Sequence, residues 1–396
     1  MKSNVPNTLR VLNKTLVLNI IRQNYPLSRA QIAKKANLTR STISEIVQEL
    51  LDENMIYEKG VDHGGLGRKG VLLHYNEDYG YVIGVDLGGT KISLGLVDFN
   101  GNLKHQKTVP TFQVADNQVF IQMLVKEIET LILETNHDPK KLRALGVASP
   151  GIIDYQNGVV LEGSPNLPQW ENLSLRQIMT KHFHVPVVIE NDVRAGLIGE
   201  IWQGSCKNTQ SAMLLSLGTG IGSALLIDGK IVRGSHNAAG EIGYMLFSKQ
   251  DLEVDWSDRG GRFESLASGP SFAKLYAERN PTAMNLSTPE VFQLAQSGNE
   301  TAKQVIDDIV EYICIAILNV ITMINPEKVI ITGGVARSGE LFLDKLRERI
   351  QFHTLNRTNV EIQLSNLYEL AAIYGISILA LSSLEPSIQF VDVDIC

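Results

Sequence analysis

Apolar residues recur at helical spacing through the first fifty positions, and shorter, more continuous apolar runs follow. Asn13 to Gln23 reads as a first helix with Leu16, Ile20 and Ile21 on one face, and Pro26 breaks it. Ser28 with Gln31 three residues on has the pattern of a capping box, and opens a second helix with Ile32, Ala33 and Ala36 on its apolar side. Asn37-Leu38 forms a short turn, and Thr39 caps a third helix running to about Asn54. In that helix Ile43, Ile46, Val47, Leu50 and Leu51 must face a core, which leaves Arg40, Ser41, Thr42, Ser44 and Glu45 on the opposite side. Two candidate strands, Ile56–Lys59 and Val71–Tyr75, are joined by Gly64-Gly65-Leu66-Gly67-Arg68-Lys69, whose glycines suit a hairpin tip. Three helices and a glycine-tipped hairpin predict a winged helix-turn-helix over residues 1–76.

After Asn76 the grammar becomes strand, glycine turn, strand. Tyr81–Asp86 is an apolar strand, Leu87-Gly88-Gly89-Thr90-Lys91 turns, Ile92–Asp98 returns, and Asn100-Gly101 leads into a third strand near Leu103–Val109. Much the same order reappears at Ala212–Leu217, Gly218-Thr219-Gly220-Ile221-Gly222, Ser223–Ile227, Asp228-Gly229 and Ile231–Arg233. Two such meanders, each followed by helix and strand segments, predict an internally duplicated α/β fold with a cleft between two lobes, 77–200 and 201–396. Leu370–Leu384 is apolar, but it contains Tyr374, Gly375 and serines and is shorter than a bilayer span of roughly 20 residues. It reads as a buried helix, and it is a candidate to return to the first lobe.

Composition changes this picture little. Hydrophobic residues make up 44% and charged residues 20% of the 396, as in ordinary globular proteins. The first forty residues hold no continuous apolar core of the signal-peptide kind, and no membrane segment is expected. Cys206, Cys314 and Cys396 stand far apart without metal or redox spacing, which suits free thiols in a reducing cytoplasm. Charge is more informative. The net of −7 divides into +5 over residues 1–75 and −12 over the rest, and no acidic residue precedes Glu45. A basic head on an acidic body fits a head that meets a polyanion.

The head suggests which polyanion. Short hydroxyls and an arginine at the start of a helix can enter a major groove and bond phosphates and base edges. A hairpin tip carrying Arg68 and Lys69 reaches phosphates or the minor groove. The candidate DNA-facing set is therefore Ser28, Arg29, Thr39, Arg40, Ser41, Thr42, Ser44, Arg68 and Lys69. A three-helix module that packs on another protein is the competing reading of the same elements. One reader of this kind covers half a site, so a homodimer on a two-fold operator is expected, with pairing of dimers into tetramers left open.

In the body, glycine turns let backbone N–H groups approach phosphate oxygens without a side chain between. A third such turn, Thr332-Gly333-Gly334-Val335, follows the apolar strand Val329–Ile331. Most glycine hairpins are only hairpins, but three in a duplicated frame make a nucleotide-phosphate site a candidate. The strand Val187–Ile189 ends in Glu190-Asn191-Asp192, which places a carboxylate where a substrate hydroxyl could give up a proton. The competing reading makes Asp192 the cap of a helix beginning at Val193, and the two roles are compatible.

With these residues in place the chain resembles the ROK family (repressors, open reading frames and sugar kinases), in particular its xylose-repressor-like regulators, over essentially its whole length. Asp86-Leu87-Gly88-Gly89-Thr90-Lys91 looks like the family's first phosphate motif, Gly218–Gly222 its second, and Gly333-Gly334 its adenosine-side motif. Ser149-Pro150-Gly151, Asn166-Leu167-Pro168-Gln169-Trp170, Glu190-Asn191-Asp192 and Ala239-Gly240-Glu241-Ile242-Gly243 look like its sugar-site segments. The resemblance implies an actin-like, ribonuclease-H-like body. It also implies that Asn166, Asn191, Asp192, Glu241 and Glu264 bond sugar hydroxyls, with Gly151 lending backbone. In kinase members the residue matching Asp192 is the general base and magnesium-ATP lies against the glycine turns, here Asp86, Gly88, Gly89, Thr90, Lys91, Gly218, Thr219, Gly220, Gly333 and Gly334.

One departure stands out. Zinc-binding members carry a His after the Glu-Ile-Gly run and three cysteines before the residue matching Glu264. Here the position is Tyr244, and Met245–Phe263 contains no cysteine. No metal site, and so no zinc, is expected, while Tyr244 stays a candidate sugar contact and the loop Gln250–Gly261 needs another support. The leading expectation is a cytoplasmic repressor whose monosaccharide effector alters the spacing of two DNA heads, with no required cofactor. The alternative is an active ATP-dependent sugar kinase carrying a DNA-binding head. A scaffold for a phosphotransfer protein has little support in the residues.

Overall fold

The computed structural model describes residues 5–61, 70–163, 167, 169–256, 260–281, 286–355 and 359–384. The expected wing residues Gly64–Lys69 and the candidate sugar residue Asn166 lie outside them.

The head consists of α1 (Val5–Asn24), β1 (Leu27–Ser28), α2 (Arg29–Ala36), α3 (Arg40–Asp52), β2 (Ile56–Val61) and β3 (Val71–Tyr75). The strands form one antiparallel sheet in the order β1-β3-β2. Local chemistry sets the boundaries. Gln31 Oε1 accepts from the Ser28 amide at 2.7 Å and from its hydroxyl at 2.9 Å. Thr39 Oγ1 accepts from the Thr42 amide at 3.2 Å. Asn37 ends α2 in the left-handed region at φ 54°. Two expectations shift. The first helix starts well before Asn13, and its core face is Val17, Leu18 and Ile21, while Leu16 is 41% exposed. Ser28 is buried with its hydroxyl directed to Gln31, so it serves as a cap and drops out of the DNA-facing set.

Among the described residues the body contains two five-stranded sheets. The first is built from β4 (Tyr81–Leu87), β5 (Lys91–Asp98), β6 (Leu103–Pro110), β7 (Leu142–Ser149) and β10 (Val187–Asn191) in the order β10-β7-β4-β5-β6. A small hairpin, β8 (Ile152–Asp154) and β9 (Val159–Glu162), and the helices α4 (Asn117–Glu134), α5 (Leu175–Phe183) and α6 (Asp192–Trp202) belong to the same half. The second sheet is built from β11 (Ala212–Leu217), β12 (Ile221–Ile227), β13 (Lys230–Ile231), β14 (Lys328–Thr332) and β15 (Glu361–Leu364) in the order β13-β12-β11-β14-β15. Its helices are α7 (Arg262–Ala267), α8 (Gly269–Arg279), α9 (Thr288–Gln296), α10 (Glu300–Ile324) and α11 (Leu343–His353). In each sheet three strands run as an antiparallel meander, a fourth joins the first strand in parallel, and a fifth joins the fourth in parallel. The repeated order is the duplication foreseen from the glycine meanders, and it is the actin-like, ribonuclease-H-like arrangement.

The last helix, α12 (Leu370–Leu384), is buried on nearly all sides because it lies against β4, β7 and α6 of the first half. Glycine sets the distance between α12 and α6. A Cβ on Gly375 would stand 1.7 Å from the Ala195 carbonyl oxygen, and one on Gly199 would stand 1.9 Å from that of Ala371.

Head and body share one continuous apolar cluster, running from Ile43 and Leu73 to Val97 and Phe99. The segment between them is packed. Tyr79 meets Phe99 edge to face at 5.1 Å and lies under the Arg143 guanidinium at 4.5 Å, while the Tyr25 hydroxyl donates to Glu77. Asn76 fastens the end of β3 to the head, donating from its amide to Met55 O at 2.9 Å and from Nδ2 to Asn54 O at 2.7 Å.

Candidate functional site

The strand β10 delivers Glu190 and Asn191 to the mouth of the cleft, and α6 begins at once with Asp192. Asn191 is the helix cap. Its Oδ1 accepts from the amides of Val193 and Arg194, both at 3.0 Å, and its Nδ2 donates to the Gly151 carbonyl at 3.0 Å. This corrects the assignment of the cap to Asp192, which is the first helical residue and only adds an acceptor for the Val193 amide at 2.9 Å. It also means that Asn191 and the Gly151 carbonyl are already engaged with each other. Trp170 donates from Nε1 to Ser149 Oγ at 2.9 Å, which joins two of the expected sugar segments.

Four carboxyls collect here, all harder to ionise than usual. Burial raises the pKa of Asp192, an effect the Val193 amide and Arg194 oppose. Burial and the charge of Asp192 raise Glu241, which Arg194 again opposes. Asp86, at the end of β4, is pushed up to about 7 by burial and by Asp192, against a smaller effect of Lys91. Burial raises Glu264, while the amide of Ile221 holds it down. That amide donates to Glu264 Oε2 at 2.8 Å, so Glu264 clips the second glycine turn as well as facing the cleft. Tyr244 is 43% exposed at the rim, on the short turn Ile242–Tyr244 that follows Glu241.

The glycine turns close partly on themselves. The Gly88 amide donates to Lys91 O and the Gly218 amide to Gly220 O, both at 2.9 Å. Lys91 Nζ is 3.2 Å from the Glu369 carboxylate, which also takes Arg337 from the segment after Gly333-Gly334. A polyphosphate entering between the first and third turns would have to displace Glu369 from both cations. The cationic side chains beside the first and third turns are thus already matched by Glu369.

Glu190 of the Glu190-Asn191-Asp192 motif and two arginines that the sequence pattern did not single out form a buried charge cluster at the site. Glu190 is 0% and Arg194 1% exposed. Glu190 Oε1 takes Arg194 Nε at 2.8 Å, and Oε2 takes Arg233 at 2.9 Å. Arg233 lies just beyond β13, with its guanidinium 3.8 Å over the Tyr155 ring. This pair of arginines on one carboxylate ties the second sheet's meander to β10. The signal was present: Glu190 and Arg194 stand four apart, the spacing of a helical ion pair, at the junction of the apolar strand Val187–Ile189 and the helix that follows.

The loop that carries zinc ligands in other proteins is held here by Asp251. Its carboxylate accepts from the amides of Phe247 and Ser248 at 2.9 and 2.8 Å and pairs with Arg262 at 2.8 Å. Its carbonyl takes Trp256 Nε1 at 2.8 Å. Among the described residues no group of three or more His, Cys, Asp or Glu is placed to hold a metal.

On the head, Arg40, Ser41, Ser44 and Glu45 are exposed along the first turns of α3. Thr39, Ser41 and Thr42 share their hydroxyls at 2.8 to 2.9 Å, and Ser44 Oγ donates to Arg40 O at 2.9 Å. Arg29 pairs with Glu58 of β2 at 2.8 Å. Arg68 and Lys69 lie outside the described residues. No helix among the described residues is long and apolar enough to cross a membrane.

Residues 82–383 match the model of the ROK family, and residues 13–57 match that of a winged helix-turn-helix DNA-binding domain. A xylose repressor of Caldicellulosiruptor bescii is 31% identical over 389 residues, spanning 95% of this chain and 97% of the relative. A glucokinase of Thermotoga maritima is 31% identical over 308 residues, spanning 74% of this chain and 95% of the relative. Among solved structures, a ROK family transcriptional regulator described as a homologue of the E. coli MLC protein matches with a TM-score of 0.80 at 24% identity, over 96% of this chain and 98% of that one.

Proposed function

The chain belongs to the ROK family, and from that premise we propose that it is a sugar-responsive transcriptional repressor of carbohydrate-utilisation genes. The winged helix reads a palindromic operator as part of a homodimer, in the cytoplasm, and the cleft at β10 and α6 binds a monosaccharide. The observation that carries this reading is the packed junction. A head whose core continues into the body, with Tyr79 fixed between Phe99 and Arg143, moves when the body moves. A sugar that favours one arrangement of the two halves shifts the spacing of paired heads in proportion to its preference. An inducer prefers the arrangement that cannot span the operator, and a corepressor the one that can.

The site chemistry suits a polyol. Asp192, Glu241 and Glu264 accept from hydroxyls, and Tyr244 closes the rim. The loop before Glu264 needs no zinc, since Asp251, Arg262 and Trp256 hold it.

A second reading, an ATP-dependent sugar kinase with a DNA-binding head, is favoured by one observation. The Asp192 carboxyl is half-buried with its pKa raised, as suits a general base. Magnesium-ATP, when bound, would supply the phosphoryl group, with the glycine turns of residues 88–91 and 218–220 and Gly333-Gly334 holding it. Asp192 would then accept the proton of the attacked hydroxyl.

Operator binding titrated against a panel of monosaccharides, alongside ADP release with magnesium-ATP, separates the two. Release or recruitment of DNA by one sugar without turnover supports the repressor. Turnover that disappears in Asp192→Asn promotes the kinase. A sugar response that survives unchanged in Asp192→Asn removes Asp192 from the site.

A further inference from the structure

The helix α6 meets the effector cleft at one end and the base of the DNA head at the other. It starts at Asp192 and ends at Trp202, eleven residues that span about 16 Å. Close packing leaves it little room to absorb a movement. Eight of its residues are buried, and a Cβ on Gly199 or on Gly375 of α12 would strike the facing carbonyl. Near the far end the buried Glu200 accepts from the Ser205 amide at 2.7 Å and from the Ser365 hydroxyl. Ser205 lies on the segment that leaves the first half for β11, and Ser365 on the one that returns from β15 to α12. One carboxylate thus ties the outgoing and the returning crossing between the halves to α6.

Trp202 follows two residues on. Its half-buried ring meets Tyr374 of α12 edge to face at 5.9 Å and carries the turn between β5 and β6. A Cβ on Gly101 would stand 2.1 Å from the indole, and Gly101 has φ 86°, so glycine is what lets the turn rest on this ring. The turn is stiff. Asp98 Oδ1 accepts from the amides of Asn100 and Asn102 at 2.9 and 2.8 Å. From it Phe99 holds Tyr79 of the linker, and the Asn100 side chain reaches the Tyr25 hydroxyl. Tyr25 joins α1 to β1 and packs on the His74 and Tyr75 rings of β3 at 6.2 and 6.3 Å. The contacts therefore run unbroken from Asp192 to the sheet of the head.

We infer that Trp202 is the positioning residue that couples the effector cleft to the DNA reader, passing a displacement of α6 through the turn at Asn100 and Gly101 to Tyr25 and Tyr79. The inference rests on the reading of the chain as a sugar-responsive repressor and names how that response crosses the molecule. A ligand that draws on Asp192 at one end of α6 changes how the head is held at the other. Operator bound to the heads then alters the affinity for sugar by the same factor that sugar alters the affinity for operator. A rigid movement of the whole first half with its head would need neither Trp202 nor Asn100. The two routes are separable because only the first depends on a contact between the indole and the turn.

The test uses the full chain and a DNA duplex that the protein itself selects from a random pool. Operator affinity is measured by anisotropy with and without saturating monosaccharide from a panel that includes D-xylose and D-glucose, and sugar affinity by calorimetry on the free protein. The ratio of the two operator affinities is the coupling factor, expected to be ~10-fold or more in the parent. Trp202→Leu keeps an apolar side chain but removes the ring under the turn. It should bring the factor below about 3-fold while sugar affinity and sugar-free operator affinity each stay within about 3-fold of the parent. Asn100→Ala, which removes only the reach to Tyr25, should lower the factor at least ~3-fold in the same way, and it decides the matter if Trp202→Leu does not fold. A parent-level factor in either folded variant overturns the inference. So does a variant that loses its affinity for sugar or for DNA, because Trp202 would then be structural support alone. The sugar-responsive reading survives both of those outcomes. It fails, and takes the inference with it, only if no sugar of the panel changes operator binding by the parent.

Discussion

Asp86 lies in β4 between Val85 and Leu87, both 0% exposed, and faces Asp192 across the cleft mouth. Its carboxyl ionises at about 7 in the folded protein against an ordinary 3.8. Between those values the folded state keeps a proton that the unfolded chain has released. Low pH therefore favours folding through this group, and the advantage disappears as pH rises through about 7. At ~1.36 kcal/mol for each tenfold change, the interval corresponds to up to about 4 kcal/mol. Asp86→Asn keeps the shape and removes the charge. It should leave stability nearly unchanged near pH 4 and raise it by up to about 4 kcal/mol at pH 8. Urea unfolding of both proteins across this range provides the measurement, and the difference between their curves isolates Asp86 from the other carboxyls. A difference that stays constant with pH, or a variant less stable at pH 8, would refute the reasoning. The same result bears on function, because a cleft that strains against its own carboxylates gains when a ligand with hydroxyl donors arrives.

Three further outcomes are expected. Arg40→Ala, at the exposed start of α3, should weaken operator binding by about 10-fold or more at moderate salt without changing the melt, and unchanged anisotropy titrations would mean that α3 is not the recognition helix. Gly375→Ala would press a methyl to 1.7 Å from the Ala195 carbonyl and should cost ~1–3 kcal/mol by forcing α12 away from α6. Gly334→Ala, where a Cβ meets nothing within 4 Å, is its control, and equal melting temperatures for the two would sink the packing argument. Glu369→Gln should free Lys91 and Arg337 and tighten tripolyphosphate or magnesium-ATP binding severalfold, more so at low salt; calorimetry showing no gain would mean that Glu369 does not guard the turns.

How far the sequence could be read depended on the range of the interaction. The head was legible because its boundaries are local: Ser28 with Gln31, Asn37, and Thr39 with Thr42 are satisfied within four residues. The duplicated sheets were legible because each glycine turn reverses the chain in place. The phase of α1 was misread because its core face depends on what α2 and α3 bring to it, so Val17 is buried and Leu16 is not. Asn191 and Asp192 are adjacent and both cap-competent, and only the contact with Gly151 settles which one caps. Glu369 and Arg233 act on Lys91 and Glu190 from distant parts of the chain, and no local pattern announces such partners.

The position of α12 has a consequence for the order of synthesis. The winged helix leaves the ribosome before the body, and the part of its apolar cluster that reaches Val97 and Phe99 closes once β5 has followed. The first sheet waits, because the helix covering β4 and β7 and buttressing α6 through Gly199 and Gly375 is translated after every strand of both sheets. A nascent or truncated product ending before Leu370 would carry a finished DNA reader on an effector site lacking its back wall. Premature termination in that last stretch is then expected to yield repressors deaf to sugar, and not merely inactive fragments.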